Sequence, residues 1–170
     1  MKDLFTLENK IALVTGGSMG IGSMIAEGFL HFGAKVYIVS RREEILKAKQ
    51  FELSKIGSCE YIQADLGTLS GIEKLVKQFS EKESQLDILV NNAGISDGGK
   101  EVDNITEEDW DSVMNLNIKT IFFMIQKFLE LVVHLKHQKM LLTLLLLTVA
   151  VKLIHFIILH MVLAKQVSFN

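Results

Sequence analysis

The sequence predicts an α/β fold, a doubly wound parallel sheet of about four strands over residues 1–130, followed by an aberrant apolar helical tail. Three observations carry this expectation. Short apolar runs alternate with stretches of helical spacing. A glycine turn, Thr15-Gly16-Gly17-Ser18-Met19-Gly20-Ile21-Gly22, joins the first run to the first helical stretch. Gly33 and Gly57 then stop the first two helical stretches, and strands alternating with helices mean a parallel sheet with right-handed crossovers.

The elements follow in order. Ile11–Thr15 is continuously apolar, as expected of a strand covered on both faces. A helix runs from the glycine turn to about Phe32, where Gly33 stops it. Lys35–Ser40 is a second strand, and Glu43–Ile56 a polar-faced helix ended by Gly57. Cys59–Ala64 is a third strand, with Cys59 as core filler beside it. Ile72–Phe79 keeps helical spacing. Leu86–Val90 is a fourth strand, closed by Asn91-Asn92-Ala93-Gly94. Asp97–Lys100 is a loop. Thr106-Glu107-Glu108-Asp109 reads as a helix cap with acids in its first turn, and that helix continues through Trp110, Val113 and Leu116 towards Phe128.

The 170 residues suffice for one domain with a real core. A net charge of −2 argues against a nucleic-acid partner. One cysteine excludes an internal disulfide and fits a reducing compartment. The first ten residues lack the apolar core of a signal peptide, so the expected location is cytoplasmic.

Four features fall where strands of such a sheet end, and ligands bind at those ends. The glycine turn opens a helix whose unpaired N–H groups and dipole attract phosphate, so Thr15, Gly16, Ser18, Met19, Gly20, Ile21 and Gly22 are candidate contacts for a dinucleotide. The spacing G-x-x-x-G-x-G is weak evidence alone; a bare tight turn is the plain alternative. At the end of the second strand stand Ser40, Arg41 and Arg42 instead of an acid. Guanidinium groups favour a 2′-phosphate, so NADP (NADPH) is preferred to NAD, against two arginines that merely face water. Asp65 can accept from an adenine amino group with Leu66 beside the ring; otherwise Asp65 caps the next helix. In Asn91-Asn92-Ala93-Gly94, small residues let a cofactor approach the backbone and the amides can tie strand ends together, making Asn91, Ala93 and Gly94 candidates.

Taken with Asn117 in Val113-Met114-Asn115-Leu116-Asn117-Ile118, these motifs resemble the short-chain dehydrogenase/reductase family over roughly residues 5–130. Lys10–Gly22 and Leu86–Gly94 are most similar to bacterial 3-oxoacyl-[acyl-carrier-protein] reductases, and the Leu4-Phe5 lead and Gly-Gly-Ser turn to those linked to rhamnolipid synthesis. The resemblance implies a Rossmann-like NADP-binding part at 1–130. It also implies hydride transfer to the carbonyl of a small molecule or acyl thioester such as a 3-oxoacyl thioester, and a homo-oligomer in intact relatives. It further implies a tyrosine with a lysine at i+4, a serine, and an asparagine that holds a relay water. Of these only the asparagine is identifiable, as Asn117; its plain alternative is a buried amide bonding backbone inside a bent helix.

The rest of that pattern is missing. The only tyrosines, Tyr37 and Tyr61, lie on predicted strands, Ser168 has no suitable tyrosine near it, and the chain ends before the family's sixth and seventh strands and substrate loop. Composition breaks at the same place. All 20 acidic residues lie at or before Glu130 and all 12 glycines at or before Gly99, while residues 131–170 hold 11 leucines and four of the five histidines. A reading-frame shift between about Phe128 and Val132 accounts for both. Back-translating His160–Val167 as CAT ATG GTG CTA GCA AAG CAG GTG, and starting at the third base, gives Tyr-Gly-Ala-Ser-Lys-Ala-Gly. In the same offset Met140–Leu146 permits Val-Ile-Asn-Ile-Ala-Ser, resembling the family's fifth strand and serine. A membrane anchor is the weaker reading, since the uninterrupted run Met140–Val151 falls short of the ~20 residues a span needs. Paired histidines (His134 with His137, His155 with His160) lack a joining acid or cysteine, so no metal is expected. The apolar tail and an unpaired strand edge predict poor solubility. Read one frame over after that point, the coding DNA should yield a continuous reductase; an intact frame with unrelated codons would contradict the shift.

Overall fold

The computed structural model describes residues 6–96 and 98–134; the expected tail from residue 135 onward, with Met140–Val151, His137, His155, His160 and Ser168, lies outside them. Strands β1 (Ile11–Thr15), β2 (Lys35–Ser40), β3 (Cys59–Gln63) and β4 (Ile88–Val90) form one parallel sheet in the order β3-β2-β1-β4. Helices are α1 (Gly20–His31), α2 (Glu43–Leu53), α3 (Leu69–Ser80), α4 (Glu107–Met114) and α5 (Thr120–His134). A π-helical turn, Asn115–Lys119, joins α4 to α5.

Successive strand residues face opposite sides of a sheet, and here both sides are covered. Leu13, Tyr37 and Val39 pack with Ile72, Leu75 and Phe79 of α3 and with Met124 and Phe128 of α5. Ala12, Val14, Val36 and Ile38 pack with Ala26 and Leu30 of α1 and with Leu46 and Leu53 of α2. Double coverage explains why these strands read as unbroken apolar runs. Phe79 meets Tyr37 and Phe128 edge-on, at 5.1 and 5.5 Å between centroids, each contact contributing about 1 kcal/mol beyond burial.

The element ends differ from the sequence expectation for identifiable reasons. α2 closes at Leu53 rather than Ile56, because Lys55 and Ile56 tighten into bonds to Glu52 and Leu53. α3 starts at Leu69, capped by the Thr68 hydroxyl accepting from Gly71 N at 3.1 Å; Ser70 and Gly71 in that first turn read as turn residues, and Leu69 is exposed. β4 starts at Ile88 rather than Leu86, since the Asp87 carboxylate itself takes the Ile11 N–H at 2.9 Å and Lys10 Nζ at 2.9 Å. The helix expected from Thr106 to Phe128 is interrupted by the π turn, and Trp110 on α4 is half exposed.

Away from the carboxyl ends of the strands, the Glu83 carboxylate accepts from the Tyr37 hydroxyl at 2.5 Å and pairs with Lys35 at 2.6 Å. Burial, then the bond to Glu83, pushes the Tyr37 hydroxyl well above its ordinary pKa. Cys59 at the start of β3 is 4% exposed, and burial followed by the Glu60 charge raises its thiol to about 12.

The expected cap of α4 is present as a full capping box. The Thr106 hydroxyl accepts from Asp109 N at 3.2 Å, and the Asp109 carboxylate accepts from Thr106 N at 3.0 Å and from Lys100 Nζ at 2.6 Å. Bonds from Lys100, then from Thr106, lower the Asp109 carboxyl from 3.8 to about 2. A depressed carboxyl stabilises the fold fully above its ordinary value and loses that contribution as pH falls through the lowered one. Its exposure lets salt weaken the effect. An NMR titration should place the Asp109 midpoint near 2, and Lys100→Ala should raise it; a native midpoint at 3.8 would contradict the pairing.

Candidate functional site

A cleft of about 230 Å³ lies at the carboxyl ends of the strands. Its wall brings together Gly16, Ser18 and Met19 of the glycine turn, Ser40, Arg41 and Arg42 after β2, Leu66 after β3, and Ala93 and Gly94 after β4. The four features singled out in the sequence therefore converge on one concavity. It sits where the chain turns from building one side of β1 to building the other, the switch point where ligands of such sheets bind.

The floor is a knot of polar bonds between the ends of β1 and β4. The Thr15 hydroxyl donates to Val90 O at 3.2 Å and accepts from Ala93 N at 2.9 Å. The Asn92 amide donates to Thr15 O at 3.1 Å and Gly16 O at 3.4 Å. Gly16 has φ +66, and a side chain at Gly22 would run into the Gly16 carbonyl and the Asn92 amide. The glycines thus serve both a left-handed turn and a close approach of α1 to the knot. Thr15, Gly20 and Gly22 lie outside the cleft wall itself, as does Ile21, which is 69% exposed on α1.

α1 opens with Met19 as N-cap, extended, with no side-chain cap and no acid in the first turn. Its leading N–H groups and positive dipole end are left for another acceptor. Arg41 and Arg42 are the only charged residues of the wall among the described residues. Arg42 Nη2 donates to the Met19 thioether at 3.2 Å, and the Arg41 carbonyl accepts from Gln63 Nε2 at 3.0 Å. Asn91 is 5% exposed, and its buried Oδ1 has no partner among the described residues, a site that calls for a donor.

Asp65 is exposed and accepts from Gly67 N at 3.1 Å, shaping the loop that seats the buried Leu66. Asn117 stands in the π turn, 7% exposed. Its Oδ1 accepts from Ile95 N at 3.0 Å and its Nδ2 donates to Ile95 O at 2.8 Å. The Thr120 hydroxyl is within bonding distance of Leu66 O and of Asn115 O. Sequence reasoning missed Thr120, and also Val39, Ala64, Ile95 and Leu116 as apolar wall. Position beside Gly94 and Asn117 could have pointed to Ile95 and Leu116; nothing local pointed to Thr120. Neither tyrosine reaches the cleft wall. Among the described residues no cluster of His, Cys, Asp or Glu could hold a metal, and no helix is long and apolar enough to cross a membrane.

The family described as short chain dehydrogenase matches residues 10–140. The rhamnolipids biosynthesis 3-oxoacyl-[acyl-carrier-protein] reductase of Pseudomonas aeruginosa is 44% identical over 131 residues, 77% of this chain and 51% of that protein. The 3-oxoacyl-[acyl-carrier-protein] reductase FabG of Chlamydia pneumoniae is 36% identical over 119 residues, 69% of this chain and 48% of that protein. The solved Pseudomonas aeruginosa RhlG/NADP active-site complex superposes with a TM-score of 0.72 at 44% identity, covering 75% of this chain and 49% of that one. The chain spans about half the length of these relatives.

The floor's geometry makes two substitutions informative. Gly22→Ala should destabilise the protein by about 2 kcal/mol through backbone overpacking, and Thr15→Val by about 1–3 kcal/mol through a buried carbonyl and amide left unpaired. Denaturant unfolding checks both; native-like midpoints would mean that the knot is not formed.

Proposed function

Because the chain belongs to the short-chain dehydrogenase family, we propose that it forms the NADP-binding half of an oxidoreductase that reduces a carbonyl, with a 3-oxoacyl thioester as substrate of the intact protein. The convergence of the glycine turn, the arginine pair and Ala93-Gly94 on one cleft carries this reading. The residues fit the cofactor. A side chain at Gly16 or Gly22 would meet the floor, α1 starts uncapped, and Asn91 Oδ1 awaits a donor.

In this proposal Thr15, Gly16, Ser18, Met19, Gly20, Ile21 and Gly22 form or support the turn that seats the pyrophosphate at the start of α1. Arg41 and Arg42 take the 2′-phosphate, and Asp65 and Leu66 the adenine. Asn91, Ala93 and Gly94 keep the β4 end narrow enough for the cofactor to lie against it. Bound NADPH supplies the hydride. Asn117 bears on the reaction through Ile95, since both polar atoms of its side chain are engaged by the Ile95 backbone. That two of the relatives are 3-oxoacyl-[acyl-carrier-protein] reductases favours the 3-oxoacyl thioester.

Residues 131–170 are, in the same proposal, the product of a shifted frame, and this polypeptide is a nucleotide-binding piece without turnover. The observation favouring that second statement is that neither tyrosine, Tyr37 nor Tyr61, belongs to the cleft wall.

Titration with NADPH and NADH tests the cofactor. We expect NADPH to bind more tightly, and Arg41→Ala with Arg42→Ala to weaken NADPH at least tenfold, as for loss of one charge-assisted bond of ~1.5–3 kcal/mol, with little change for NADH. Equal loss for both cofactors would contradict the role of the arginines. With acetoacetyl thioester, this chain should not oxidise NADPH and the frame-restored protein should; turnover by the chain as written would overturn the second statement.

A further inference from the structure

We propose that Met19 is a modification site: its thioether aims Arg42 into the cleft, and oxidation by peroxide turns it into a competitor for that guanidinium. The proposal rests on the reading that Arg42 meets a 2′-phosphate. Met19 occupies the N-cap of α1, a position favoured by Ser, Thr, Asp or Asn because their oxygens bond the first helix N–H groups. Met19 makes no such bond. Its Sδ instead lies 3.2 Å from Arg42 Nη2, joining the glycine turn to the loop after β2, and both side chains line the same cleft.

A thioether is a weak acceptor. It can orient a guanidinium without outbidding a phosphate, so the contact prepares the site while leaving its charge available. Met19 is also 52% exposed, whereas Met124 is fully buried, so a small oxidant has access to the Met19 side chain and not to that of Met124. In the oxidation, the O–O bond of hydrogen peroxide breaks and an S–O bond forms. The sulfur gives up two electrons and the peroxide leaves as water. The product is a sulfoxide, polar where the thioether was not. Its oxygen is a far stronger acceptor, placed on the atom that already faces Arg42. The guanidinium then donates within the protein, and an incoming phosphate loses one charge-assisted partner. Met24, 69% exposed on α1 but absent from the cleft wall, supplies an internal control.

The test uses the full chain, calorimetric titration with adenosine 2′,5′-bisphosphate and with ADP, and mild hydrogen peroxide. Fragment-ion mass spectrometry locates the added oxygen. We expect oxidation at Met19 to weaken the bisphosphate roughly tenfold, the size of one such bond, and to leave ADP unchanged. Methionine sulfoxide reductase should restore binding. Met19→Leu should bind the bisphosphate about threefold more weakly than the native chain before treatment, and lose nothing further with peroxide; Met24→Leu should respond like the native chain. Bisphosphate affinity that survives stoichiometric oxidation of Met19, or that still falls with peroxide in Met19→Leu, overturns the proposal and leaves the cofactor reading standing. Absence of bisphosphate binding before any oxidation overturns both.

Discussion

The cleft depends on one constraint, the bonding of the β1 end to the β4 end beyond their shared ladder. Only three residue pairs join these strands, from Ala12↔Ile88 to Val14↔Val90. Past that point the Thr15 hydroxyl and the Asn92 amide continue the pairing with side chains, onto Val90, Ala93, Thr15 and Gly16. Each bond contributes about 1 kcal/mol net, and leaving a buried partner unmade costs more. Because the Asn92 amide also contacts the space a Gly22 side chain would need, strand pairing, glycine choice and helix position form one arrangement.

The π turn does for the walls what this knot does for the floor. π-helical insertions inside α-helices are rare and gather at functional sites. Here the inserted turn sends Asn117 to the backbone of Ile95 and Thr120 to the carbonyl of Leu66. Ile95 and Leu66 belong to loops from different strands, and both line the cleft. A regular helix would bring these two polar side chains to different angles, so the bend sets the distance between the walls.

Much of this was legible in the chain. Ile11–Thr15 and Lys35–Ser40 read correctly to the residue, because apolar runs bounded by glycine and charge have sharp edges. The capping box at Thr106 was equally plain, since its signal is local. Features set by distant partners were hidden. Asp87 shortens β4 through a bond to Ile11, 76 positions away. Thr120 reaches Leu66 over 54 positions, and nothing in its own neighbourhood announces a buried hydroxyl. Asn117 was visible only through family resemblance; the spacing around it reads as ordinary helix, and the π turn emerges only in three dimensions. The cleft wall divides in the same way: Gly16, Ser18, Met19, Arg41, Arg42, Leu66, Ala93 and Gly94 were named from the sequence, Asp65, Asn91 and Asn117 lie outside the wall, and the apolar Val39, Ala64, Ile95 and Leu116 were not foreseen.

Cys59 has a practical consequence. It is the chain's single thiol, shielded at the start of the outermost strand and held protonated far above neutral pH. Alkylating dyes react with thiolate, so at neutral pH they pass over the native molecule and mark it only when β3 detaches from β2. The rate of labelling is therefore a clock for fraying at that border of the sheet, wired in without engineering a probe.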